Sequence, residues 1–116
     1  MFEIANSEDL EPVPVVRVLL LALIRKSPES SGYDLMKAIS DFTNGTINLS
    51  SGTVYTTLRR LEKNGSVNSS RENTGRRRRA YNITEQGESD LFQLVAQIEK
   101  RVEVLLNPLI KFVSDP

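Results

Sequence analysis

The sequence predicts a mainly α-helical fold with one small β-hairpin, and three observations lead to this prediction. Apolar residues recur at three- and four-residue spacing in four separate segments, as in helices that bury one face. Between the third and the fourth segment, from Ser66 to Ile83, the helical period is lost and Asn73-Thr74-Gly75 supplies a turn. After this turn, Arg79, Tyr81 and Ile83 alternate as one face of a strand. The predicted order is therefore three helices, a hairpin and a final helix.

The first two helices are predicted from their apolar patterns and from the residues that bound them. Val13–Lys26 is apolar on nearly all sides, which is typical of a helix packed among others, and Ser27-Pro28 ends it. This stretch is too short to span a bilayer. The second helix starts at a cap supplied by Ser30 or Ser31. Its apolar residues are Leu35, Met36, Ile39 and Phe42.

The third helix has one apolar and one polar face. Ser50 is its predicted N-cap, and the apolar stripe consists of Val54, Leu58 and Leu61. Gly52 on the opposite face allows a close approach to the backbone, and Thr56 is small enough to contact a base edge. The residues of this polar face are Gly52, Thr56, Arg59 and Lys63, with Arg60 at its border. Such a face suits the major groove of DNA.

The final helix is predicted to begin after the cap residue Thr84 and to pair with a second copy of the chain. Its apolar residues alternate in steps of four and three, which is the spacing of a helix seam between subunits. The predicted interface residues are Leu91, Val95, Ile98, Val102, Leu105 and Leu109. Pro108 is expected to kink this helix or to start a short second segment. We therefore divide the chain into a DNA-binding domain, residues 1–83, and a C-terminal dimerisation helix, residues 84–116.

Charge and composition restrict the function. The net charge is zero, but residues 59–79 hold eight basic and two acidic residues, a local charge of +6. The 116 residues include no Cys and no His, and the carboxylates are scattered. We therefore expect no enzyme activity, no metal site and no cofactor. The acidic first residues do not resemble a basic signal sequence. We expect a cytoplasmic protein with no membrane partner.

Three helices followed by a hairpin with a basic tip are the layout of a winged helix-turn-helix domain. In this class the third helix enters the major groove of double-stranded DNA. Arg76, Arg77 and Arg78 lie at the hairpin turn, beyond the core, where guanidinium groups can bind phosphates or enter a narrow minor groove. We expect Arg79 to lay its stem over the core, and Tyr81 to anchor the hairpin rather than to contact DNA.

Three motifs in this order resemble the PadR family of transcriptional regulators. They read SGYDLMKAI, SSGTVYTTLRRLEKNG and TGRRRRAYNITEQG. The resemblance covers roughly residues 13–87 by motif, and the final helix by position and length. The resemblance implies a homodimeric winged-helix repressor that binds a palindromic operator. It further implies that Ser51, Thr53, Tyr55 and Thr56 approach DNA and that Tyr33 contacts a phosphate. Ser51 replaces a proline that many relatives have at this position.

The resemblance also implies a small-molecule effector, which in this family is often a planar aromatic compound bound between subunits. The final helix of this chain offers only Phe92 and Phe112 as aromatic residues. An effector of different chemistry, or none, is therefore left open.

Two other functions remain as alternatives. An arginine-rich strand can also bind RNA, although no group of neighbouring aromatic residues forms a stacking surface. A winged helix can also serve as a protein-docking module, and the polar face of the third helix argues against this use. Parallel binding assays with duplex DNA and duplex RNA separate these functions.

Overall fold

The computed structural model of the chain describes residues 10–71 and 78–116. In chain order its elements are α1 (Val15–Lys26), α2 (Gly32–Phe42), α3 (Ser51–Lys63), β1 (Val67–Arg71), β2 (Arg79–Ile83), α4 (Glu85–Arg101) and α5 (Asn107–Ser114). A π-helical segment, Val102–Leu106, joins α4 to α5. This order confirms the predicted mainly α-helical fold with one hairpin.

Hydroxyl side chains cap the N-termini of α2, α3 and α4. Each accepts a hydrogen bond from the backbone N–H three residues later, and the caps are Ser31, Ser50 and Thr84. The Asp34 carboxylate in turn accepts from the Ser31 N–H, which completes a capping box at α2. Ser30 instead donates its hydroxyl to the carbonyl of Ser27. The sequence thus predicted the starts of all three helices. Of the two candidate caps for α2, Ser30 and Ser31, the structure shows that Ser31 is the N-cap.

The core lies where α1, α2 and α3 meet the hairpin and the first half of α4. The predicted stripe of α3 is fully buried, since Val54 and Leu58 are 0% exposed and Leu61 is 1% exposed. Phe42 departs from the predicted pattern of α2, because it lies in the last turn and is 70% exposed. The other large side chains at the centre of the core are Leu20, Leu21, Ile24, Leu35, Ile39 and Val67.

The hairpin is antiparallel, with Val67 opposite Ile83 and Arg71 opposite Arg79. Tyr81 holds it on the helices: its side chain is buried, and its N–H donates to the Ser30 carbonyl at 2.9 Å. Burial raises the pKa of the Tyr81 phenol, and the negative charge of a neighbouring carboxylate raises it further. The predicted role of Tyr81 as the hairpin anchor is confirmed.

The C-terminal helices leave the core. Leu91 is 4% exposed and packs in the core of its own chain, whereas the side chains beyond Arg101 are mostly exposed. The Asn107 N–H bonds to the Val102 carbonyl five residues back, which widens the helix just before Pro108. This wider turn accommodates the proline ring, so the helical path continues into α5. The molecule is accordingly elongated, at 59 × 30 × 21 Å.

Candidate nucleic-acid interface

One face of α3 carries an unbroken row of exposed polar residues. Because Val54, Leu58 and Leu61 point into the core, the residues between them point to solvent. The structure places six predicted residues of α3 on this exposed surface: Ser51, Gly52, Thr53, Thr56, Arg59 and Lys63. The predicted helix thus presents its polar side chains together and free of the core.

The first turn of α3 is open to a close approach. A side chain added at Gly52 would meet only the Ser50 hydroxyl, at 3.9 Å. The Ser50 hydroxyl caps the Thr53 N–H and donates to the Thr53 hydroxyl at 3.0 Å. Thr53 therefore helps to order this turn. The remaining N–H groups of a helix N-terminus favour an anion, such as a DNA phosphate.

Further along α3, Thr56 and Arg59 form one polar unit. The Arg59 guanidinium donates to the Thr56 hydroxyl at 3.3 Å, so both side chains lie on the same strip of surface. Thr57, by contrast, donates its hydroxyl to the Thr53 carbonyl at 2.8 Å. Thr56 is thus available to an outside partner, whereas Thr57 bonds to its own helix.

A cleft of about 330 Å³ lies between the start of α2, the ring of Tyr55 and strand β2. The Arg78 guanidinium carbon lies 5.8 Å from the centre of the Tyr33 ring, a cation–π contact that links the hairpin to α2. Tyr33 and Tyr55 are 62% and 38% exposed. The fold thus brings together three predicted site residues that are far apart in the sequence, namely Tyr33, Tyr55 and Arg78.

Sequence reasoning missed the role of Gly32 in this cleft. A Cβ atom added there would lie 2.5 Å from the Tyr55 ring and 2.7 Å from its hydroxyl oxygen. The absence of a side chain at Gly32 therefore allows the Tyr55 ring to lie against the first turn of α2. The only sequence signal is a glycine directly after the Ser31 cap, where other residues also fit a helix.

The charged groups around the cleft are held by local hydrogen bonds. The Ser31 N–H lowers the pKa of Asp34, with a smaller effect of the Ser31 hydroxyl and the Arg78 charge, whereas burial opposes them. Asp34 therefore carries its charge at neutral pH. The Arg79 guanidinium donates to the Ser69 hydroxyl at 3.0 Å, and Ser69 donates to Glu62 at 2.7 Å.

Arg78 is exposed at the base of the hairpin loop, as predicted, and Arg71 and Arg79 are exposed beside it. The other predicted loop residues, Arg76 and Arg77, lie outside the described residues. Within the described part, α3 and the hairpin both line the cleft, α3 through Tyr55 and the hairpin through Arg78 and Arg79.

A buried helix-turn-helix core, an exposed polar third helix and a basic hairpin together define a winged-helix DNA-binding protein. A family model with the description "Transcriptional regulator PadR-like family" matches residues 20–93. The chain therefore belongs to this family. It is thus a transcriptional regulator that binds DNA and is not an enzyme.

Solved structures support this assignment. A transcriptional regulator from Clostridium thermocellum is 27% identical, with a TM-score of 0.76 over 90% of this chain and 97% of that one. A PadR family transcriptional regulator from Eggerthella lenta is 28% identical, with a TM-score of 0.68 over 88% of this chain and 84% of that one.

Bacillus subtilis PadR in complex with operator DNA shares the fold at 22% identity, with a TM-score of 0.64. The match covers 72% of this chain but 48% of that protein, so this chain spans about half its length. No curated protein matches the chain. Within residues 10–71 and 78–116, none of the helices has the length and apolar character needed to cross a bilayer.

The packing of Tyr55 on Gly32 leads to a first prediction. Replacing Gly32 by Ala places a methyl group against the Tyr55 ring, so the ring must move off α2. We expect the free energy of unfolding to fall by about 1–3 kcal/mol, the usual cost of overpacking. DNA affinity should fall several-fold as well, because Tyr55 leaves its position on the interface.

Thermal denaturation and fluorescence anisotropy with labelled DNA measure the two effects of Gly32→Ala. Gly52→Ala, which adds the same methyl group at an open position of α3, is the control for stability. A Gly32→Ala variant as stable as the parent, with the same DNA affinity, contradicts the packing role of Gly32.

Proposed function

We propose that the protein is a homodimeric repressor that binds a palindromic operator through α3 and the hairpin. The observation that carries this proposal is the exposed polar face of α3 beside the basic edge of the hairpin. In winged-helix proteins the third helix lies in the major groove and the hairpin contacts the adjacent backbone. Bacillus subtilis PadR, which shares the fold, has been solved in complex with operator DNA.

Base recognition is assigned to the exposed face of α3. Gly52 lets the first turn approach the groove, and the methyl and hydroxyl groups of Thr56 can contact a thymine methyl or a base edge. Arg59 and Lys63 extend along the same helix and reach towards phosphates or guanine. Ser51 and Thr53, at the start of α3, bind the backbone beside the groove.

Backbone contacts are assigned to the hairpin and to the cleft below it. Arg78 and Tyr33 already contact each other, so a phosphate at this position can bind the guanidinium and the phenol hydroxyl together. Tyr55 lines the same cleft. We assign further phosphate or minor-groove contacts to Arg76 and Arg77, from the sequence alone.

Dimerisation is assigned to the C-terminal segment. Seven large apolar side chains there are 36–81% exposed in the single chain: Val102, Val104, Leu106, Leu109, Ile110, Phe112 and Val113. Water-exposed apolar surface of this extent is typical of a protein–protein interface. Val95, Ile98 and Leu105 are partly buried in the single chain, and Val95 and Ile98 pack against its core. Leu91 is a correction to the predicted interface, because its own chain already buries it.

Two-fold pairing through this segment explains how a small domain selects one site. A dimer presents two α3 helices to successive major grooves, about 34–36 Å apart, on a palindromic site. Binding at a promoter then blocks transcription, and a small-molecule effector relieves the block. A protein with this function works on chromosomal DNA, which in bacteria places it in the cytoplasm.

Selection of bound molecules from a random duplex DNA pool tests the function and its specificity together. We expect a palindromic consensus, and weaker binding to duplex RNA of the same sequence. Thr56→Ala should cost about 1–3 kcal/mol of binding free energy on the selected site and less on random DNA. Thr57→Ala is the control, because the Thr57 hydroxyl bonds to its own helix. This variant should bind DNA like the parent. If no duplex sequence is enriched from the pool, the proposed sequence-specific recognition is wrong.

The hairpin assignment predicts a change in salt dependence. Arg78→Gln removes one phosphate contact, so the slope of log affinity against log salt should become shallower by about one unit. The loss should be similar on operator and unrelated duplex, because a phosphate carries no sequence information. Anisotropy titrations at several salt concentrations measure it, with Lys111→Gln on α5 as the control. An unchanged slope excludes Arg78 as a phosphate ligand.

A further inference from the structure

A dense set of hydrogen bonds joins the end of α3 to the start of α4. The Gln86 amide donates to the Asn64 carbonyl at 2.8 Å, and the Thr84 hydroxyl donates to the Gly65 carbonyl at 2.6 Å. The Thr84 N–H donates to the Ser66 carbonyl at 3.0 Å. We call residues 64–66 and 84–90 the α3–α4 joint. It ties the helix assigned to base recognition to the helix that leads into the dimerisation segment.

The joint is also tightly packed. The Ser66 hydroxyl donates to the Asp90 carboxylate at 2.8 Å, and the Ser66 side chain is buried. The backbone of Gly87 lies against the Ser66 carbonyl, so closely that a Cβ atom at Gly87 would overlap it. A displacement of α4 at this point is therefore transmitted to the end of α3, since interlocked backbones do not slide past each other.

A cleft of about 440 Å³ opens on one side of the joint, between α1 and α4. Its volume lies within the range of small-ligand sites. The joint lines the cleft with Asn64, Ser66 and Asp90, and α1 contributes Arg17. The rest of the polar wall consists of three carboxamides on α4: Gln86, Gln93 and Gln97.

The chemistry of the cleft selects a polar ligand. Arg17 is exposed and makes no ion pair or hydrogen bond with any of the described residues, so its guanidinium is free to bind a carboxylate. Asp90 can accept a hydrogen bond or face an ammonium group, and carboxamides both donate and accept. Leu94 is the single apolar side chain among the described residues that line the cleft, and none of them is aromatic.

We propose that this cleft binds a small carboxylic acid that also carries an ammonium or hydroxyl group, of the amino-acid or hydroxy-acid type. Arg17 binds the carboxylate, and Asp90 with the carboxamides binds the donor group. This chemistry differs from that of a planar aromatic effector, which needs aromatic or apolar walls.

The ligand acts on DNA binding through the joint. A molecule held between Arg17 and Asp90 pulls α1 and α4 together at the point where α4 contacts Ser66. The cleft is at the far end of α3 from its first turn, about 18 Å along the helix axis. The ligand therefore changes the orientation of α3 without touching DNA. This regulatory step rests on the proposed function, whereas binding itself does not.

Binding is tested on the full chain without DNA. The probes are the twenty protein amino acids together with lactate, malate and citrate, each at millimolar concentration. We expect at least one of them to raise the melting temperature by several degrees, and isothermal titration calorimetry to give one site per chain. The variant Arg17→Gln should lose this response, as should Gln93→Ala on α4. Lys26→Gln also replaces a cation by glutamine on the same helix, but outside the cleft, and should keep the response.

Regulation is tested with the selected operator duplex. The acid that binds should change the DNA affinity of the parent and of Lys26→Gln by about 5- to 150-fold, the usual range of allosteric coupling. Arg17→Gln should bind DNA like the parent, and its DNA affinity should not change when the acid is added.

Three results overturn the proposal: no acid of the panel binds, Arg17→Gln responds like the parent, or the bound acid leaves DNA affinity unchanged. If no duplex is selected in the first place, the proposed function fails, and the thermal and calorimetric data still decide whether the cleft is a binding site.

Discussion

Replacing Leu109 and Phe112 by Glu should convert the protein to a monomer and reduce its affinity for the operator by about 10²- to 10⁴-fold. The loss follows from the separation of two linked binding sites, each of which then binds its half of the operator alone. Neither residue lies near α3 or the hairpin, and so the DNA-contacting surface of each chain remains intact.

The physical reason is the burial of charge without a partner. Leu109 and Phe112 are 51% and 81% exposed in the single chain, so that glutamates there remain hydrated and the chain still folds. In a dimer that packs on this surface, the same glutamates would lose their water among apolar side chains. Association is therefore disfavoured, whereas the fold of the monomer is not.

Sedimentation velocity at micromolar concentration measures the oligomeric state, and anisotropy with the selected duplex measures DNA affinity. Circular dichroism verifies that the variant is folded. Lys111→Glu adds a glutamate to the polar side of the same helix and should remain dimeric. A parent protein that sediments as a monomer, or a double variant that remains a dimer, contradicts the assignment of this interface.

Replacing Gly87 by Ala should destabilise the protein by about 3 kcal/mol, at the upper end of the usual cost of overpacking. Alanine is the better helix former by about 1 kcal/mol, so helix propensity alone predicts the opposite sign. The added methyl group, however, meets the backbone carbonyl of Ser66, which is fixed by the Thr84 N–H and cannot turn away. We therefore expect the steric effect to exceed the gain in propensity.

Denaturant unfolding followed by circular dichroism measures this change. Gly52→Ala is the matched control, because Gly52 also lies in the first turn of a helix but faces open space. Its stability should equal or slightly exceed that of the parent. A Gly87→Ala variant that is as stable as the parent shows that α4 can move away from Ser66 at little cost, which contradicts a rigid α3–α4 joint.

The sequence by itself determined the secondary structure and the polar face of α3. Helix periodicity requires only that one stripe be apolar, and the stripe of Val54, Leu58 and Leu61 is buried as predicted. Capping depends on residues three positions apart, so Ser50 and Thr84 could be recognised without knowledge of the tertiary structure. The membership of the PadR-like family was likewise predicted from local motifs and is confirmed by the match over residues 20–93.

Only the tertiary structure decided which residues from distant segments meet. The apolar seam of the final helix reads as uniform in the sequence, yet its first member, Leu91, is buried in its own chain and Leu109 is exposed. No periodicity distinguishes the two, because burial depends on which part of the helix lies beside α1. Two glycine contacts likewise join separate elements: Gly32 packs against Tyr55, and Gly87 packs against Ser66. A glycine that makes room for another segment has no local signature, since the segment it accommodates lies more than twenty residues away in the chain.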